Sequence, residues 1–174
     1  MLNYILTNNA EEYYKLHKYV EAAKLFEAEA ESTNDASSKI SLYRKAASAY
    51  HEYGSYDEET RCLMLVSDFL YGEEKIDCLV LCWKVYITAI AVYQYETGFE
   101  WKGEVENLHG SYEETIRGYY SKAVKVLVAA FKIGDVDRGR LLDVLNAECV
   151  KRRGEGGWAV SECVSSIDEA FKRS

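Results

Sequence analysis

The stretch LYRKAASAYHEYGSYDEETR, residues 42–61, decides the fold. Its first half places Leu42, Ala46, Ala49, Tyr50 and Tyr53 on one stripe of a helix. Gly54 then stands where a helix closes on a left-handed residue, and Ser55 with Glu58 has the Ser-x-x-Glu spacing of a capping box that opens the next helix. The reading is helix, tight turn, helix. The same punctuation returns at Gly110, Ser111 and Glu114, so that Gly54-Ser-Tyr-Asp-Glu-Glu-Thr-Arg61 and Gly110-Ser-Tyr-Glu-Glu-Thr-Ile-Arg117 nearly repeat one another.

Outward from this hairpin, period and capping signals predict helices over 3–17, 19–32, 36–53, 55–71, 74–97, 100–109, 111–133, 136–152 and 157–172. No strand alternation competes with them. The links are short, which turns neighbouring helices antiparallel and obliges each to bury its apolar stripe on the pairs before and after it. Average usage of about 5% would put roughly nine prolines in a chain of this length. There are none in its 174 residues, so nothing breaks a helix. The glycine-rich stretch Gly154-Glu-Gly-Gly157 separates only the last two helices, and residues 1–174 read as a single domain.

The segment from Ile76 to Tyr95 differs from the others. Leu79, Val80, Leu81, Cys82, Val85, Tyr86, Ile87, Ile90 and Val92 surround the helix instead of lining one face, which predicts burial on several sides. Asp77, Lys84 and the acidic flanks Glu73, Glu74 and Glu96 favour a core helix over a membrane span.

An apolar fraction of 48% against 29% charged residues excludes a disordered chain. The net charge of −8 repels phosphate backbones, and the basic residues cluster only at Lys151, Arg152 and Arg153, so nucleic acid is not the expected partner. Cys62, Cys78, Cys82, Cys149 and Cys163 follow no disulfide-framework spacing and read as reduced, buried thiols. The stretch Met1-Leu2-Asn3-Tyr4-Ile5-Leu6-Thr7 has neither a basic start nor a long apolar run, so no signal peptide is expected and the compartment is read as cytoplasmic.

The order of small residue, aromatic, Gly-x-Tyr turn, small residue, aromatic resembles the tetratricopeptide repeat. The second helix pair supplies Ala47, Tyr50, Gly54 and Tyr56, and then has Glu59 and Leu63 where that family usually has a small residue and a large aromatic. The first pair supplies Ala10, Tyr13, Tyr19, Ala22 and Phe26, with His17 in place of the turn glycine. A third copy runs through Gly110, Tyr112, Thr115 and Tyr119, and a degenerate fourth through Cys149, Gly156, Trp158 and Ser161. Turns at His17, Gly54, Gly110 and Gly156 depart from the 34-residue spacing of a regular array. The uneven helices look more like the SNAP-type vesicle-adaptor branch of the superfamily. The resemblance implies a right-handed α-solenoid of eight or nine helices in antiparallel hairpins, packed through small residues such as Ala22 and Ala47 and through layer-filling tyrosines.

It also implies a concave groove lined by the first helix of each pair. Carried onto this chain, the groove positions are Tyr4, Thr7, Glu11, Tyr14 and Lys15, with Arg44, Ser48, His51 and Glu52 from the second pair. Thr7 and Glu11 stand where a carboxylate clamp would need its first-helix residues, so a receptor for chaperone tails is disfavoured. The expected function is a protein-interaction module, an adaptor or scaffold that holds a peptide or partner helix or dimerises through an uncapped end, with no cofactor. Trp101 and Trp158 could anchor such an interface or close the ends of the stack.

The competing reading is a small metal protein or enzyme. Glu106-x-x-His109 has the spacing of di-iron helical bundles, but it is present once, and neither His17 nor His51 has a glutamate three residues before it. Cys78 and Cys82, four apart, lack a second pair of ligands for zinc. No phosphate loop, dinucleotide fingerprint or nucleophile elbow occurs.

Overall fold

The computed structural model describes residues 2–97, 111–131 and 133, with side chains described from Asn9 onward. Every element among them is an α-helix: α1 (Leu2–Lys15), α2 (Tyr19–Ser32), α3 (Ala36–Tyr53), α4 (Tyr56–Ser67), α5 (Gly72–Thr97) and α6 (Ser111–Phe131). Six of the expected helices are therefore in place, with α4 ending four residues earlier than its expected end at 71. The expected helices over 100–109, 136–152 and 157–172 lie outside the described residues. Contacts divide the chain into two compact units, Met1–Cys78 and Leu79–Ser174.

In the first unit α1 packs on α2, α2 on α3 and α3 on α4. Two- and three-residue links leave no length for a crossover, so consecutive helices run antiparallel. What lets them approach is small side chains. Ala10, Ala22, Ala23, Ala30, Ala46 and Ala49 have no solvent exposure and Ala47 very little, with Phe26, Leu42, Tyr43 and Leu63 filling the space between. The expected inward positions of Ala22, Ala47 and Tyr50 are thus occupied as read.

Two links share one device. At the end of α3, Gly54 adopts φ 80°, its N–H donates to the carbonyl of His51, and Ser55 N–H donates to the carbonyl of Tyr50. At the end of α1 the same pair of bonds runs from His17 to Tyr14 and from Lys18 to Tyr13, with His17 itself at φ 59°. Both are Schellman turns. His17 accepts the left-handed conformation that glycine takes at the second link, and its Nδ1 lies 2.6 Å from the Tyr19 hydroxyl.

The capping box expected from Ser55 and Glu58 does not form: no side-chain bond caps α4. The physical reason is that Ser55 serves both helices. A capping box needs its backbone N–H for the Glu58 carboxylate, and that N–H is already spent on Tyr50 in the Schellman turn. Glu58 instead accepts from Arg61 Nε at 2.7 Å. A side-chain cap does occur on α3, where Asp35 Oδ2 accepts from the Ser38 N–H at 2.7 Å. That bond holds the Asp35 carboxyl below its ordinary range.

Helix α5 is buried nearly all round, as expected of the segment from Ile76. Leu79, Cys82, Trp83, Ile87, Ala89 and Ile90 are closed off from solvent, and the more open positions Asp77, Leu81, Lys84 and Thr88 form one narrow stripe. By length and composition Gly72–Tyr93 could cross a membrane, yet 56% of its apolar window is buried within the protein, as in a core helix. In the second unit α6 meets α5 through Tyr86 and Tyr119, whose ring centres lie 6.0 Å apart, with the Lys122 ammonium over both rings.

The two turns carry a stability prediction. Nothing stands within 4 Å of a Cβ added at Gly54, so Gly54→Ala should cost only the conformational penalty. That is about 1 kcal/mol, and His17→Gly should gain roughly 0.5–1 kcal/mol by the same argument. Urea denaturation followed by circular dichroism measures both.

Candidate functional site

The groove positions expected from sequence are distributed between structural duty and open surface. Tyr4 and Thr7 lie in α1 at positions whose side chains are outside the described ones. Glu11 Oε1 accepts from Lys45 Nζ of α3 at 2.7 Å. Tyr14 packs edge-on against Tyr19, centroid to centroid 5.3 Å. His51 Nδ1 lies 3.0 Å from Glu59 Oε2. Lys15, Arg44, Ser48 and Glu52 stand exposed, the last three on one face of α3. The Lys45–Glu11 pair ties α1 to α3 at this surface.

Glu59 explains a departure seen in the sequence. It occupies a position where a small residue was expected, and it is buried. Burial pushes its carboxyl up, and the hydrogen bond and charge of His51 only partly oppose that. The half-exposed imidazole thus compensates a carboxylate sunk into the α3–α4 packing.

A second surface, unforeseen in the sequence, is a cleft of about 550 Å³ on α2, the end of α3 and the start of α4. Its floor is a hydrogen-bonded network. Glu27 Oε1 accepts from the Tyr50 hydroxyl at 2.8 Å, and Glu27 Oε2 accepts from Arg61 Nη2 at 2.6 Å. Arg61 also holds Glu58 through Nε. Burial alone would disfavour the Arg61 charge, but the two carboxylates outweigh it and raise the guanidinium above its ordinary range. The Tyr50 hydroxyl is likewise raised, first by burial and then by its bond to Glu27. Lys24 and Glu31 of α2 and Tyr53 of α3 complete the walls. The missed residues had no local signal: Glu27 and Arg61 are 34 positions apart, and only a comparison at that interval would have paired them.

The thiol beside this network is not activated. Cys62, below the network, has its thiol pushed up to about 12 by burial and by Glu27, so it stays protonated. Cys62, Cys78 and Cys82 are buried and not disulfide-linked. Among the described residues no three His, Cys, Asp or Glu side chains converge as metal ligands. Glu106 and His109 lie outside the described residues.

Compared with family models, with curated proteins and with solved structures, the chain matches none.

Two measurements probe these side chains. Removing Glu27 (Glu27→Ala) leaves Tyr50 and Arg61 short of an acceptor and should cost about 1–3 kcal/mol. A double-mutant cycle with Arg61→Ala should show coupling. Glu59 gives the opposite sign with pH. Its folded pKa lies above the unfolded one, so its ionisation destabilises the fold as pH rises through that interval. Glu59→Gln should therefore be more stable than wild type at pH 7 and lose that advantage in acid, read from thermal midpoints across the pH range.

Proposed function

We propose that this chain is a protein-interaction module built as a tetratricopeptide-like array of helical hairpins, an adaptor or scaffold that receives a peptide or partner helix on the α1–α3 face. The observation that carries this is a repeated spacing. Lys45 pairs with Glu11, and Arg61 pairs with Glu27; each joins residues 34 positions apart. The first links α1 to α3 and the second links α2 to α4, so counterpart helices of successive hairpins are tied at the interval of that repeat. The matching Schellman turns at His17 and Gly54 add to it.

The same reading orders the remaining expectations. The uneven helices favour the SNAP-like branch and a right-handed solenoid continuing through the rest of the chain. The module works without a cofactor or catalytic step, in the cytoplasm, with α5 as a core helix and not a membrane span. Its partner is a protein or peptide and not a nucleic acid, or a second copy where an end of the stack is uncapped.

Tyr14 and His51 have packing duties, so the clean test uses exposed positions. Arg44→Glu with Glu52→Lys should abolish capture of the partner proteins that the wild-type chain retains from a cell extract, with helicity unchanged. Undiminished capture removes the α1–α3 face from the proposal.

A further inference from the structure

We propose that the cleft on α2 and α4 is a separate docking site, and that it takes a lysine or arginine side chain from a basic segment of a partner protein. It is lined by α2, the end of α3 and the start of α4, and does not depend on the α1–α3 face being used. Its volume of about 550 Å³ has room for a long side chain together with its flanking backbone. It lies within the roughly 300–1,000 Å³ of small-ligand sites.

Charge selects the occupant. Lys24 and Arg61 stand against Glu27, Glu31 and Glu58, so the lining carries a net negative charge. Arg61 is already held by two of those carboxylates, which leaves Glu31 exposed at the wall as the acceptor for an incoming cation. Tyr53 sets a ring, 63% exposed, at the same cleft. A carboxylate beside an open aromatic face is the pair of features that holds an ammonium or guanidinium. An anionic ligand would meet three carboxylates, and an apolar one would strand the polar lining. The floor needs no rearrangement, since Glu27 is mostly buried and fixed by Tyr50 and Arg61. The chain's net charge of −8 adds long-range attraction for basic segments.

The experiment titrates the full chain with capped tri-arginine and, separately, with capped tri-glutamate, following backbone amide resonances. Tri-arginine should shift residues 20–31 and 53–61, with binding weakened by salt. Glu31→Lys should weaken it about tenfold, through loss of one partly exposed ion pair and its replacement by a like charge. Asp68→Lys makes the same charge change at the end of α4 far from the cleft and should leave the affinity within about twofold, as expected of a distant exposed charge. Both variants alter exposed residues, and circular dichroism checks that each is folded. Equal weakening by the two substitutions, shifts scattered over the acidic surface, tri-glutamate binding as well as tri-arginine, or no binding at all would each overturn the proposal.

Discussion

Close approach of helices through alanine is the constraint on which the first four helices depend. α2 packs on α3 with Ala22, Ala23 and Ala30 of the one and Ala46, Ala47 and Ala49 of the other buried, Ala47 alone keeping a trace of exposure. Dispersion forces reward such closeness only when the backbones stay at one separation, since a void of even half an ångström forfeits much of the contact energy. A single enlarged side chain therefore pushes both helices apart along their length. The tyrosines and Phe26 are then placed by what the alanines leave between them.

Polar groups are accommodated around this seam in two distinct ways. Glu27 is satisfied from two sides and links three helices, so that its partial burial is matched by donors. Glu59 has the exposed imidazole of His51 alone and keeps a raised pKa. Thr60 Oγ1 and Trp83 Nε1 are buried with no hydrogen-bond partner among the described residues.

Much of this was legible in the sequence because helix signals are local. The stripe from Leu42 to Tyr53, the glycine at 54 and the all-round apolar run after Ile76 each report their own surroundings, and the helices stand where those signals put them. The Ser55 capping box failed for an equally local reason, a single N–H claimed by two motifs, which a motif read alone does not disclose. What the sequence withheld is tertiary. The Glu27 network joins residues from three helices, and no spacing within one helix announces it. Arg44, Ser48 and Glu52 of α3 stand exposed, whereas the bond between His51 and Glu59 depends on a partner eight residues on in another helix.

The ion pairs and the turns keep different measures of the chain. Lys45 meets Glu11 at an interval of 34, whereas His17 and Gly54 stand three residues further apart than that. Three residues are almost one helical turn, and α3 carries it beyond the level at which it is tied to α1. The surplus lies at the C-terminal end of α3, which bears the exposed Tyr53. Length can thus be added in whole turns while the buried seam stays undisturbed.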